Sequence, residues 1–149
     1  VQRGTGALTE SPIAKAIRSA SAERNGRWAS DDIKTDALIL ASGVPQLSGQ
    51  QFGGPDLDTW HVLDPTDAQK GAWNRGASYV TFSWVGGTSA SIGNPGADII
   101  TISSDPCAAD LRTLDLRWII SSTPLDRPCL TPRGSYPWLG TPRFIYEVR

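Results

Sequence analysis

The sequence predicts a mixed α/β fold of the α+β kind, a single-layer mixed sheet of about five strands flanked by helices. Three observations carry this expectation. Ser78 to Val85 alternates aromatic and β-branched side chains with small polar ones, the period of a strand with one face in water. Leu116 to Ser121 is apolar enough for a central strand, and it follows directly on a helical pattern from Ala108 to Asp115. Ser11-Pro12 opens an amphipathic stretch with a residue that caps free amides and a proline whose missing N–H costs nothing at the first helical position.

Taken in order, that first helix runs to about Asn25, with Ile13, Ala16, Ile17 and Ala20 as its apolar stripe and Gly26 as its stop. Arg27 to Ser30 reads as a short strand. Asp31 or Asp32 then caps a turn into Thr35 to Ala41, an apolar run read as helix. From Ser42 to Pro65 the density of Gly43, Pro45, Gly49, Gly53, Gly54 and Pro55 predicts a structured surface loop. Asp67 to Asn74 reads as a short helix capped by Asp67, with Trp73 turned inward. A loop of small residues follows, and Ala97 to Ser103 is a second strong strand closed by Asp105-Pro106. With the helix and strand after it, this forms a strand–helix–strand unit, right-handed if its strands are parallel neighbours. The prolines from Pro124 to Pro142 predict a loop, and Arg143 to Val148 closes the chain as an antiparallel strand.

A chain of 149 residues, 39% hydrophobic and 19% charged, suits one folded domain spanning residues 1–149. Net charge is −1, with 14 basic and 15 acidic residues spread along the chain, so nothing marks it for nucleic acid. No stretch approaches the roughly 20 apolar residues that span a bilayer, and a soluble domain is expected. The chain begins at Val1 and contains no Met, which suggests excision from a longer polypeptide. Cys107 and Cys129 each follow a proline near a turn. Two readings stand: a disulfide worth about 3 kcal/mol in an oxidising compartment, or two separate buried thiols.

The densest chemistry lies in Asp56 to Asp64, where Asp56, Asp58 and Asp64 accompany the only histidine, His61. Neither the ligand spacing of a calcium loop nor enough His or Cys for zinc is present, so no metal and no cofactor is expected. The structural reading has Asp58 capping a turn over Thr59 to Leu63, with Trp60 and Leu63 inward. A Ser–His hydrolase would draw on His61 and nearby Asp or on Ser48, the nearest serine, but Pro45-Gln46-Leu47-Ser48-Gly49 is not a nucleophile elbow. Gly86-Gly87 and Gly93-Asn94-Pro95-Gly96 lack the partners of a phosphate loop and read as turns. The only glutamates are Glu10, Glu23 and Glu147, none in a suggestive context. No catalytic residue is assigned. Trp60, Trp73, Tyr136 and Trp138 lie in or beside loops, where an aromatic face can stack on a sugar ring or anchor the loop to the core. The binding candidates are therefore Asp56, Asp58, Trp60, His61, Trp73, Tyr136 and Trp138.

Ser42-Gly43-Val44-Pro45-Gln46-Leu47-Ser48-Gly49, Trp60-His61-Val62-Leu63-Asp64-Pro65 and Trp73-Asn74-Arg75 stand together with Asp105-Pro106-Cys107, Leu114 to Ser121 and Pro124-Leu125. In these phrases, over Ala37 to Arg149, the chain resembles the C-terminal extracytoplasmic domain of actinobacterial polytopic membrane proteins similar to C-type glycosyltransferases, which use polyprenyl-linked sugars. The resemblance implies a domain at the C-terminal end of an integral membrane protein, on the extracytoplasmic side of the cell envelope. It implies acidic catalytic residues near the membrane-embedded part rather than here. The partners it implies are the parent's transmembrane part and cell-wall glycan. The leading expectation is a non-catalytic accessory domain contacting acceptor glycan or a partner through Gly43 to Pro65 and the loop around Tyr136 and Trp138. The alternatives are a structural domain packing on its own transmembrane part, and the hydrolase using His61.

Overall fold

A computed structural model describes residues 6–51, 54–76, 78–87 and 90–149. Gly53, counted in the expected loop, and Val1 lie outside them. In chain order the elements are α1 (Gly6–Glu10), α2 (Pro12–Glu23), β1 (Arg27–Ser30), α3 (Ile33–Ala41), β2 (Gly49–Gln51), α4 (Leu57–Leu63), α5 (Lys70–Trp73), β3 (Ser78–Trp84), β4 (Ser91–Gly96), β5 (Ile99–Ser104), α6 (Ala109–Thr113), β6 (Leu116–Ser121), β7 (Leu130–Trp138) and β8 (Thr141–Val148).

The mixed α+β class holds, but the described strands form two four-stranded sheets rather than one of about five. Sheet A has the order β1-β6-β8-β7, with β1 and β6 parallel and the other pairs antiparallel. Sheet B has the order β2-β3-β5-β4, with β3 and β5 parallel. Alternate residues of sheet A feed two cores. Trp28, Trp118, Ile120 and Ile145 pack with Ile13 and Ile17 of α2 and Leu38 and Ile39 of α3. Ala29, Ile119 and Tyr146 pack instead with Val80, Phe82, Ile100 and Ile102 of sheet B. The layers are therefore helices, sheet A, sheet B.

Several expectations are corrected by this arrangement. The strands β5 and β6 are not neighbours: Ile100 and Ile102 meet Ile119 across the inter-sheet core, so α6 turns a corner between sheets instead of crossing over one. The span from Ser42 to Pro65 contains β2 and α4, and the cap of α4 is Asp56, not Asp58. Asp67 does not cap α5. It sits at φ 58°, and buried Asp64 organises the segment instead, accepting from the Gln69 amide (2.8 Å) and the Trp73 indole N–H (2.9 Å). The stretches read as loops around Gly93 to Gly96 and from Pro124 to Pro142 contain β4 and β7. Both are edge strands, where Pro95, Pro132 and Pro137 need not donate to a ladder, and both break register.

Two devices join the sheets. Cys107 and Cys129 form a disulfide with Cα atoms 5.6 Å apart, linking the segment after β5 to the start of β7. The chain around Gln46 also runs parallel beside β1, with Trp28 N–H donating to Pro45 O (2.9 Å) and Leu47 N–H to Trp28 O (2.7 Å). It then enters sheet B as β2, so one short stretch changes sheets.

Candidate functional site: a polar groove at the seam of the two sheets

Where this stretch leaves sheet A it forms one wall of a groove of about 260 Å3. Gln46, Ser48, Gln50 and Gln51 line it from the crossing strand, Arg27 from β1, and Asp56, Thr59 and Trp60 from α4. A second hollow of about 390 Å3, lined by Asp58, Thr113 and Asp115, shares Arg27, Asp56 and Thr59 with the first. Helix α4 starts where it does because Asp56 caps it, its carboxylate accepting from the Thr59 amide (3.5 Å) and hydroxyl (2.9 Å). Trp60, only 2% exposed, lies beneath the groove, donating its indole N–H to Gln51 Oε1 (3.0 Å) and stacking on Trp73 (5.6 Å, 6°).

The lining mixes donors with acceptors, the carboxylates of Asp56, Asp58 and Asp115 among the latter. Among the described residues nothing bonds the Arg27 guanidinium, and the carboxamide nitrogen of Gln51 is buried without a partner. Oxygen-rich ligands match such a surface, since an unmet buried donor costs about 1–3 kcal/mol.

Behind the groove lies Asp36 of α3, a carboxylate only 1% exposed. Its Oδ1 accepts from Ser30 Oγ and Ser48 Oγ, both at 2.6 Å, and its backbone carbonyl accepts from Gln46 Nε2 (3.0 Å). Its Oδ2 has no partner. Burial outweighs the two hydroxyl bonds and pushes this carboxyl up to about 7, with the charges of Asp32 and Asp31 adding to the effect. One turn earlier Asp32 shows the opposite balance. Burial opposes its ionisation, but hydrogen bonds from Arg143, Thr35 and the Lys34 amide hold it below the ordinary carboxylate value.

The seven binding candidates divide. Asp56 and Asp58 line the hollows, and Trp60 forms the floor. His61 faces away on α4, its side chain 51% exposed, 3.4 Å from Asp67 and edge-on to Trp73. Trp73 is fully buried and bound to Asp64. Tyr136 lies on the helix side of sheet A, beside Arg133 and α2. Trp138 belongs to the core there and donates to Lys34 O (3.3 Å). Gln46 and Gln51 fall within the expected contact span Gly43 to Pro65 without having been singled out, whereas Arg27 and Asp36 were missed. The available signal for Asp36 was a lone carboxylate entering the apolar run Ala37 to Ala41.

Fold and groove together define the class: a two-sheet α+β domain with a cross-sheet disulfide and a polar cleft at its seam. The chain belongs to the family described as "Domain of unknown function (DUF7654)", whose model matches residues 7–149. No curated protein and no solved structure matches it. Among the described residues, no three His, Cys, Asp or Glu side chains are grouped to hold a metal ion, and no helix is long and apolar enough to cross a membrane.

Proposed function

We propose that this is a non-catalytic, extracytoplasmic accessory domain of a cell-envelope membrane protein resembling C-type glycosyltransferases, and that its seam groove contacts glycan. The observation that carries the reading is the pairing of unmet donors, Arg27 and Gln51, with the carboxylate and hydroxyl of Asp56 and Thr59 in one cleft. Sugar hydroxyls both donate and accept, so such a mixed polar lining suits them. The disulfide fits an oxidising compartment. Titrating arabinan, galactan and mannan fragments, followed by Trp fluorescence and amide NMR, tests it. One fragment should shift Arg27 and Gln46 to Trp60, and Arg27→Ala should weaken that binding by about tenfold. No response to any fragment sinks the glycan reading.

A second reading, a domain that packs on its own transmembrane part, draws on a different place. Between the outer face of sheet B and the start of α3 lies a largely apolar cleft lined by Ile33, Pro95 and Ile99 beside Asp31, Asp32 and Lys34, with the buried hydroxyl of Thr81 unpartnered. Cross-linking in the full-length membrane protein should then capture Pro95 or Ile99, not Arg27.

A further inference from the structure

Asp36 never reaches the groove, yet it holds two residues of its wall. Ser48 gives it a hydroxyl bond and Gln46 bonds its backbone carbonyl. Ser48 Oγ in turn accepts the Ser30 amide (3.0 Å), and Ser30 Oγ lies within reach of two acceptors, Asp36 Oδ1 (2.6 Å) and Asp32 O (2.9 Å). Each hydroxyl has one hydrogen, so the arrangement can be counted. With Asp36 ionised, the hydrogens of Ser30 and Ser48 both point at Oδ1, and Ser48 offers the groove only a lone pair. A proton on Oδ2 would be a buried O–H with no acceptor, so the proton is held on Oδ1, from which Asp36 donates to Ser48 Oγ. Ser30 then turns its hydrogen to Asp32 O, and Ser48, already accepting twice, turns its own hydrogen outward.

We propose that Asp36 is a positioning residue for the groove, and that its proton converts Ser48 from acceptor to donor on the groove wall. The inference rests on the groove being the binding site, but the switch itself is readable without ligand. Burial brings the Asp36 transition to about 7, within the working range of a protein. The charged groups facing it are few. Asp31 and Asp32 precede it at the end of β1 and the start of α3, and both raise it. Asp31 is engaged by Ser122, whose amide bonds it at 3.0 Å, and Asp32 is paired with Arg143 of β8 at 2.9 Å. On the groove side its partners, Ser48 and Gln46, are neutral.

The test is an amide NMR titration from about pH 5 to about pH 9 in a His61→Gln background, which removes the only imidazole. Ser30, Gln46 and Ser48 should move together with a midpoint near 7. The step should vanish in Asp36→Asn, whose amide oxygen still accepts both hydroxyls. If that variant does not fold, Ser48→Ala serves: the step should persist at Ser30, which still bonds Asp36 directly, and shrink at the amide of position 48, which has lost its hydroxyl link. No step in the parent, or the same step in Asp36→Asn, overturns the proposal. With a fragment that binds, affinity should differ about threefold or more between the two ends of the range and be flat in Asp36→Asn. Affinity flat in both overturns the switch and leaves the groove standing. No binding at either pH sinks the glycan reading alone, and the ligand-free titration still decides the switch.

Discussion

Sheet A and sheet B are built from the same number of strands but live in different surroundings. Sheet A is covered on both faces, by α2 and α3 outside and by sheet B inside, and its β6 buries Trp118, Ile119, Ile120 and Ser121 in succession. Sheet B is covered on one, and β5 alternates Ile100, Ile102 and Ser104 inward with Ile99, Thr101 and Ser103 outward. The difference teaches where polar chemistry can sit. Burying polar groups between covered layers is costly, and the groove described above forms at the seam, where one strand leaves sheet A for sheet B.

The largest break in the comparison should come from Trp118→Ala. Trp118 is fully buried, stacks on Trp28 at 5.2 Å, carries Arg133 over its ring and donates to Arg24 O. Chemical denaturation should show a loss of about 4 kcal/mol or no folded protein, whereas Ile99→Ala on the open face of sheet B should cost far less. Equal losses would erase the distinction. Next, replacing both cysteines by serine should cost about 3 kcal/mol, because the bond joins the two sheets; hydrogen exchange should show sheet B loosening first. The remaining test is pH. Asp36 has its carboxyl raised from 3.8 to about 7 in the folded chain, so the folded state holds the proton more tightly than the unfolded one. Stability from this group is therefore full below pH 3.8, falls as pH rises towards about 7 and is level above that. Thermal melts should show that fall in stability across the window, and the fall should be absent in Asp36→Asn.

The same difference in cover explains what could be read from the sequence. In β3 and β5 alternation survives because one face meets water, and β6 was visible as an unbroken apolar run. Ser11 and Pro12 marked α2 correctly, with Ser11 accepting the Ala14 amide. The edge strands β4 and β7 were hidden, since Pro95, Pro132, Pro137 and Gly134 are loop residues by local preference and are tolerated only because one side of an edge strand needs no partner. That β5 and β6 face each other depends on contacts between sheets, which no local pattern encodes. The groove was half legible. Asp56, Asp58 and Trp60 lie close together in sequence, but Arg27 joins them, and Ser30 and Asp36 come to lie behind the wall, only because β1 pairs with the segment at Gln46.

The prolines of β4 and β7 have one more effect. Each lies at the outer rim of its sheet, and each strand slips register beside them. The opposite rim of sheet A is sheltered by the backbone around Gln46. A neighbouring copy of the chain thus meets few continuous rows of donors and acceptors on which to add a strand. The molecule is guarded against fibre-like stacking by the residues that concealed two of its strands.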